Sequence, residues 1–474
     1  MVEQGDMALA TDLEEEENED QEDDEVRAGD SMIVTAITED DFSHLEVQLY
    51  TEDGTLYVHH DINLPEFPLC LAWLDCPPFR IDGSQTSLGN YVAVGTFDPV
   101  IEIWNLDVLD PLEPSASLGG ILSKSKNKKT KKKTVHYKDG SHEGAVMALS
   151  WNKHFRQALA SGSADTTVKI WDVTTQACSH TFTHHSDKVQ AVSWHVSDGW
   201  LLTSASFDKK VALLDCRSGT TVAEYTLAED VETLEWNPFD PNQLFCALES
   251  GTVVCIDRRY PDATQFQFLA HDSVVTGLSF SAKVPGMMAT ASTDKTVKVW
   301  DVLGEDGGPR SAPKMIAYKS MAVGKLFGLE FCPDEPFVLA AGGDKGMLAI
   351  WESDEQVMIE DYFGPRVTRT DDALREDAGE IGQAAVDASK SSPLKGNMEI
   401  EEEAIDGGVP SRTKPTKTKV NVEGKKKVAN IQSTGSISKA VEPSENTDAW
   451  MDEAGAEEKK AIKSTKKSSK NKKK

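Results

Sequence analysis

Four short segments, each closing on an apolar residue followed by an acid, constrain this chain more than any other feature. They are VKIWDV at Trp171–Asp172, VALLDC at Leu214–Asp215, VVCIDR at Ile256–Asp257 and VKVWDV at Trp300–Asp301. Their spacings are 43, 42 and 44 residues. Two more segments join the series at longer intervals. IEIWNL, with Trp104, precedes Trp171 by 67 residues, and LAIWES, with Trp351, follows Trp300 by 51. A period of about 40–45 residues ending on Trp-Asp is the sequence mark of one blade of a β-propeller.

Within each period the pattern is that of strands. VMALSW, VQAVSW, VETLEW and VTGLSF alternate large and small apolar residues and end on an aromatic. QALASGS, LLTSASF and MATASTD are small-residue strands suited to close sheet contact near an axis, and an Asp-led turn then opens DTTVKIW, DKKVALL or DKTVKVW. No stretch here carries sustained helical periodicity.

A set of polar residues recurs at fixed offsets. His142 lies nine residues before Trp151 and is followed by Ser161, Asp165 and Trp171. The set repeats as His185, Trp194, Ser204 and Asp208, with Leu214 in the last place, and again as His271, Phe280, Thr290, Asp294 and Trp300. The residue types of a hydrolase triad are present. Three copies on one repeat specify a buried relay instead, in which Asp accepts from His, His bonds the hydroxyl and the hydroxyl reaches the indole N–H.

Other periods are partial. The fifth has no His and carries Ser250 at the turn; the second keeps Asp98 and Trp104, the seventh Asp344 and Trp351. Upstream, MIVTAIT, LEVQLYT and TLYVHHDINL read as one further degenerate blade. The expected fold is all-β, a seven-bladed WD-repeat β-propeller over 31–364, with EQVMIEDYF after Trp351 as a candidate for the last strand. His59–His60 and His184–His185 lack a second ligand pair and read as strand or loop residues, so no metal and no cofactor is expected.

The flanks differ in composition. Residues 1–30 hold fourteen acids against one base, Arg27, with no hydrophobic periodicity across the block, and are expected to form a disordered acidic arm. Residues 365–474 are poor in aromatics and read as a disordered tail with a basic end, nine lysines and two glutamates falling between Gly455 and Lys474. A lysine-rich insertion, about 113–139, interrupts the repeat as a solvated loop. Its Lys124, Lys126, Lys128, Lys129, Lys131, Lys132 and Lys133 form a candidate nuclear-import patch or phosphate contact. Net charge is −30, no run approaches 18 apolar residues, and the seven cysteines are scattered without a CxxC pair. Together with the absence of a leader pattern, this leads us to expect a soluble intracellular protein with no membrane partner.

On a propeller the residue before each turn Asp sits at the rim of the narrow face. Phe97, Ala164, Phe207, Thr293 and Gly343 hold those places, with Phe97 and Phe207 as candidate exposed anchors. After the turn Asp come Lys209–Lys210, Lys295 and Lys345, a candidate basic cluster for RNA phosphate or an acidic protein.

The stretch from Tyr137 to Val173, YKDGSHEGAVMALSWNKHFRQALASGSADTTVKIWDV, resembles the periodic tryptophan protein one family of nucleolar WD-repeat proteins. The acidic arm, the lysine-rich insertion and the regular tryptophans fit that resemblance. It implies a nuclear, largely nucleolar, non-enzymatic scaffold in ribosome biogenesis, chiefly ribosomal RNA processing and production and large-subunit assembly. The implied partners are proteins of pre-ribosomal particles, and the lysine clusters add RNA contact. A histone- or chromatin-binding regulator of transcription is the alternative, and chromatin association is also attributed to the family. No small-molecule substrate is expected: there is no Walker loop, no GxGxxG opening a helix and no HExxH.

Overall fold

In a computed structural model of the chain, the described residues are 26–367 except 28, 40–41, 52, 80–87, 127–132, 261–263 and 304–308, together with 427–430. The repeat becomes a seven-bladed propeller. The first blade holds β1 (Ser31–Thr38), β2 (Ser43–Tyr50) and β3 (Leu56–Leu64), and the second β4 (Pro68–Leu74), β5 (Tyr91–Thr96), β6 (Val100–Asn105) and β7 (Ala116–Gly119). A hairpin of β8 (Ile121–Lys126) and β9 (Lys133–Tyr137) follows. The third blade is β10 (Val146–Trp151), β11 (Ala158–Ser163), β12 (Val168–Asp172) and β13 (Ala177–Phe182). The fourth is β14 (Val189–Trp194), β15 (Leu201–Ser206), β16 (Lys210–Asp215) and β17 (Thr220–Thr226). The fifth is β18 (Val231–Trp236), β19 (Gln243–Leu248), β20 (Thr252–Asp257) and β21 (Thr264–Leu269), and the sixth β22 (Val275–Phe280), β23 (Met287–Ser292), β24 (Thr296–Leu303) and β25 (Pro309–Ser320). The seventh has three strands, β26 (Leu326–Phe331), β27 (Val338–Gly343) and β28 (Met347–Glu352).

The first strands of blades two to seven touch in order round the axis. Each carries a bulge at its second residue: Leu69, Met147, Gln190, Glu232, Thr276 and Phe327. The extra residue bends the strand and adds twist, which suits it to the crowded axis. Every seam between blades has its own apolar core. Leu149, Leu159 and Trp171 meet Leu74 and Ile103 between the second and third blades, and Leu329, Leu339 and Trp351 meet Met287 and Val299 between the sixth and seventh. The seam between the seventh and first blades is thin, with Ile33 and Ala340 as its buried members.

Three local expectations need correction. EQVMIEDYF does not supply a strand: Ser353–Glu355 is a 3-10 turn and Val357–Phe363 is a helix, α1. Ile359 and Phe363 lie one helical turn apart, both buried under the sixth and seventh blades, so their spacing favours helix over strand. The lysine-rich insertion is a hairpin at its base, with Lys124 opposite Val135 and Lys126 opposite Lys133, because Ile121, Val135 and Tyr137 supply β-forming residues on both sides. Within the tail, Lys427–Asn430 forms a short strand, β29, parallel to β1 from Ser31 to Val34. It touches β26 and β4 and so completes the inner ring. Residues 1–25, 368–426 and 431–474, on which the readings of disorder rest, lie outside the described residues, as do Lys128, Lys129, Lys131 and Lys132.

All seven cysteines are free, and all but Cys178 are buried. Burial pushes the Cys76 thiol up to about 11 and Cys216 up to about 12, so both stay protonated small hydrophobes.

Candidate functional site

The polar sets assemble where inner strands meet the turn between second and third strands. In the third blade His142 Nδ1 lies 2.9 Å from Asp165 Oδ2 and Nε2 2.7 Å from Ser161 Oγ, which accepts from Trp171 Nε1 at 2.9 Å. The sixth blade repeats this with His271 at 2.8 Å from both Asp294 and Thr290, and Trp300 Nε1 donating to Thr290 Oγ1 at 2.9 Å. The fourth blade has Leu214 in place of the indole, and another residue fills the gap. His184 Nε2 lies 3.0 Å from Ser204 Oγ, beside His185 Nε2 at 2.9 Å, while His185 Nδ1 reaches Asp208 at 3.0 Å.

Burial is the largest influence on these imidazoles and holds His142, His185 and His271 below the usual range, although their Asp partners oppose it. Burial raises the Asp165 carboxyl too, but the His142 bond and charge, Thr167 and the Glu143 N–H outweigh it and leave it well below the usual carboxylate range. Asp208 and Asp294 are lowered by the same balance. Neutral, enclosed histidines on ionised aspartates have no open face toward a substrate, with His142 and His271 each 1% exposed. These sets tie each turn to its blade.

The turns themselves place the rim residues. Phe97 is 53% exposed, its ring packed edge-on against Phe67 with centroids 5.5 Å apart. Phe207 is only half-buried rather than open, so the expectation of two exposed phenylalanines holds for Phe97 alone. The third blade stands between theirs. Lys209 and Lys345 fold back on their own loops, donating to the carbonyls of Ala228 at 3.5 Å and Ala322 at 2.8 Å. Lys295 is exposed, and Lys210 pairs with Glu224 at 3.3 Å. Lys295 and Lys345 stand on neighbouring blades, and Lys209 stands apart on the fourth.

Two features escaped the sequence reading. Glu235 and Glu330 occupy the place that Ser150, Ser193 and Ser279 take in sister inner strands, VETLEW and LFGLEF against VMALSW, and that aligned acid was the available signal. Burial pushes Glu235 up to about 7 against the pull of Lys153. It pushes Glu330 up to about 8, helped by Glu235 and opposed by Lys153. Lys153, Glu235 and Glu330 belong to the third, fifth and seventh blades, so groups on three separate blades act on one another electrostatically. On the opposite face, Trp200 packs at a tilt against Phe155, ring centroids 4.5 Å apart, with the Arg217 guanidinium 5.4 Å from its ring centre. Loop aromatics there carry no repeat signal. On the first blade His44, Glu46 and Asp61 bring one ligand atom each within 4.8 Å, while His59 and His60 lie on β3 with their Nδ1 atoms 2.8 Å apart.

The family "WD domain, G-beta repeat" matches residues 132–172, 176–215 and 263–301, the three blades with a His–Asp pair. An uncharacterised WD repeat-containing protein of Schizosaccharomyces pombe is 40% identical over 367 residues, covering 77% of this chain and 69% of its own. Periodic tryptophan protein 1 of Saccharomyces cerevisiae is 32% identical over 421 residues, covering 79% and 72%. A periodic tryptophan protein 1 homolog of Drosophila melanogaster is 30% identical over 356 residues, covering 74% and 73%.

Proposed function

The chain belongs to the periodic tryptophan protein 1 family of WD-repeat propellers, and from that premise we propose that it is a non-enzymatic scaffold in nuclear and nucleolar ribosome assembly. The observation that carries this reading is the locking of all three His–Asp–hydroxyl sets into turn-fixing relays, which leaves the propeller faces, not a reaction centre, as the working surfaces. Its partners are proteins of pre-ribosomal particles. The narrow-face rim, with Phe97 open on the second blade and Lys295 exposed on the sixth, is the candidate docking face, since exposed aromatics and cations make anchors.

Lys124, Lys126 and Lys133 lie on the strands of the hairpin between the second and third blades. With the C-terminal lysines they are the groups for import or for RNA phosphate, because a chain of net charge −30 can meet polyanions only locally. Gradient sedimentation of nuclear extract tests the proposal. The chain is expected to co-migrate with precursor large subunits, and Phe97→Ala/Phe207→Ala to shift toward the top of the gradient while keeping its urea midpoint. A double variant that keeps its place in the gradient removes this face from the reading. A chain free of pre-ribosomes and bound to histones would support the chromatin alternative.

A further inference from the structure

The first blade carries a polar cluster that neither the relays nor the narrow-face rim uses. On β2, Leu45, Val47 and Leu49 fill the first-blade core, so the alternate residues His44, Glu46 and Gln48 share the other face. The register sets Glu46 directly opposite Asp61 of β3, and His44, Glu46 and Asp61 bring ligand atoms to within 4.8 Å of one another. His60 pairs with Val47 and belongs to the apolar side. Each member of the cluster lacks the partner its chemistry requires. His44 is 8% exposed, yet neither ring nitrogen has a hydrogen bond among the described residues: Nδ1 has no partner, and Nε2 stands 3.7 Å from Glu46 Oε1. A buried polar group in that state costs stability. Glu46 and Asp61 are like charges at directly opposed positions, which repel, and among the described residues no lysine or arginine pairs with either. The arrangement is nevertheless held in place. Phe42 stacks on the His44 imidazole with ring centroids 5.5 Å apart, and Gln48 Nε2 donates to Glu46 Oε2, which leaves Oε1 as the oxygen beside His44.

We infer that His44, Glu46 and Asp61 form a binding site for a divalent transition metal of the zinc class. One cation between the two facing carboxylates removes their repulsion and occupies the imidazole lone pair. Nitrogen and oxygen ligands about 2.0–2.2 Å from zinc stand about 3.4 Å apart at tetrahedral angles and farther at wider ones. The 3.7 Å between His44 and Glu46 already meets this, and Asp61, which is exposed, has the freedom to close the remaining distance. An imidazole in the set favours zinc over magnesium or calcium, which take oxygen ligands. Three protein ligands leave the fourth position to water. The bound ion clips β2 to β3 on the face that carries Tyr50, which packs in the thin seam with the seventh blade. The ligands come from two strands and share no sequence motif, so only the register brings them together.

Calorimetric titration of the metal-free full chain with Zn2+, in excess Mg2+ to occupy the acidic arm, tests this. One zinc is expected to bind per chain, and Asp61→Asn and His44→Gln are each expected to weaken it at least ~100-fold, with Gln48→Leu costing ~10-fold. Zinc is also expected to raise the urea midpoint of the parent and to leave that of the two ligand variants unchanged. Asp61 is exposed, so Asp61→Asn decides the matter even where His44→Gln fails to fold. His60→Gln and Cys178→Ser are expected to keep the parent affinity. No zinc bound in excess Mg2+ overturns the inference, and so does binding that Asp61→Asn retains. Loss of binding with His60→Gln or Cys178→Ser alone overturns it as well, by placing the ion elsewhere.

Discussion

Asp165 is ionised and accepts from His142 Nδ1–H, which leaves Nε2 to accept from the Ser161 hydroxyl while the Ser161 oxygen receives the Trp171 indole N–H. One hydroxyl thus serves two buried groups. Ser161→Ala leaves both unpaired and is expected to cost about 2–4 kcal/mol, read as a lower urea midpoint. An unchanged midpoint would contradict the relay. Acidification acts on the three histidines through the unfolded chain, which takes up protons near pH 6.5, whereas burial keeps the folded imidazoles neutral to lower pH. Their contribution therefore falls as pH drops below about 6.5. Glu235 and Glu330 have the opposite sign, since the folded carboxyls hold protons up to about 7 and about 8 and acidification from there stabilises. Glu235→Gln/Glu330→Gln removes that opposing contribution. It is expected to lose more stability than the parent between about pH 8 and about pH 5.5, by urea midpoints at the two values. The relays were legible in sequence because His, hydroxyl, Asp and Trp recur at one set of offsets. The His184 substitute for an indole was not, since only the fold brings its ring to Ser204.

The turns that hold these aspartates differ in what their backbone asks of the next residue. Thr166, Lys209 and Lys295 adopt φ of 68°, 65° and 72°, the left-handed region, and sister turns place Gly251 and Gly346 there. A β-branched residue is least suited to that region, so Thr166→Gly is expected to raise stability by about 1 kcal/mol or leave it unchanged, by urea titration. A clear loss would show that Thr166 Oγ1 or its methyl contributes more than the strain costs. Gly251→Ala is the contrasting case: at φ 89° its Cβ would fall 2.1 Å from the His271 carbonyl oxygen. It is expected to destabilise by more than about 2 kcal/mol. The blades were readable from two-residue alternation and Asp-led turns. α1 was not, because its seven residues give two buried positions and no cap. β29 was not either: Lys-Val-Ala-Asn has no pattern of its own, and only the vacant inner place beside β1 selects it.

At the scale of the whole molecule, the propeller presents two unlike faces on a strongly acidic chain. The narrow rim carries Phe97 and the turn lysines, and the opposite face carries Trp200, Phe155 and Arg217. Trp and Arg are the residues most enriched among interface anchors. Trp200→Ala is accordingly expected to leave the relays and the fold intact but to release a different subset of partners from that lost with Phe97→Ala, by comparative affinity purification. Identical subsets would mean that the two faces do not act separately. Fold class was legible at this scale because repetition reports it, whereas a docking face is written once and has no period to reveal it. The measurement that bears most directly on the central claim is affinity purification of the tagged endogenous protein from nuclear extract, with and without RNase, reading precursor ribosomal RNA, assembly factors and histones together. The scaffold account predicts large-subunit precursors with their assembly factors, and RNase shows which contacts RNA bridges. Histones alone, retained after RNase, would contradict it.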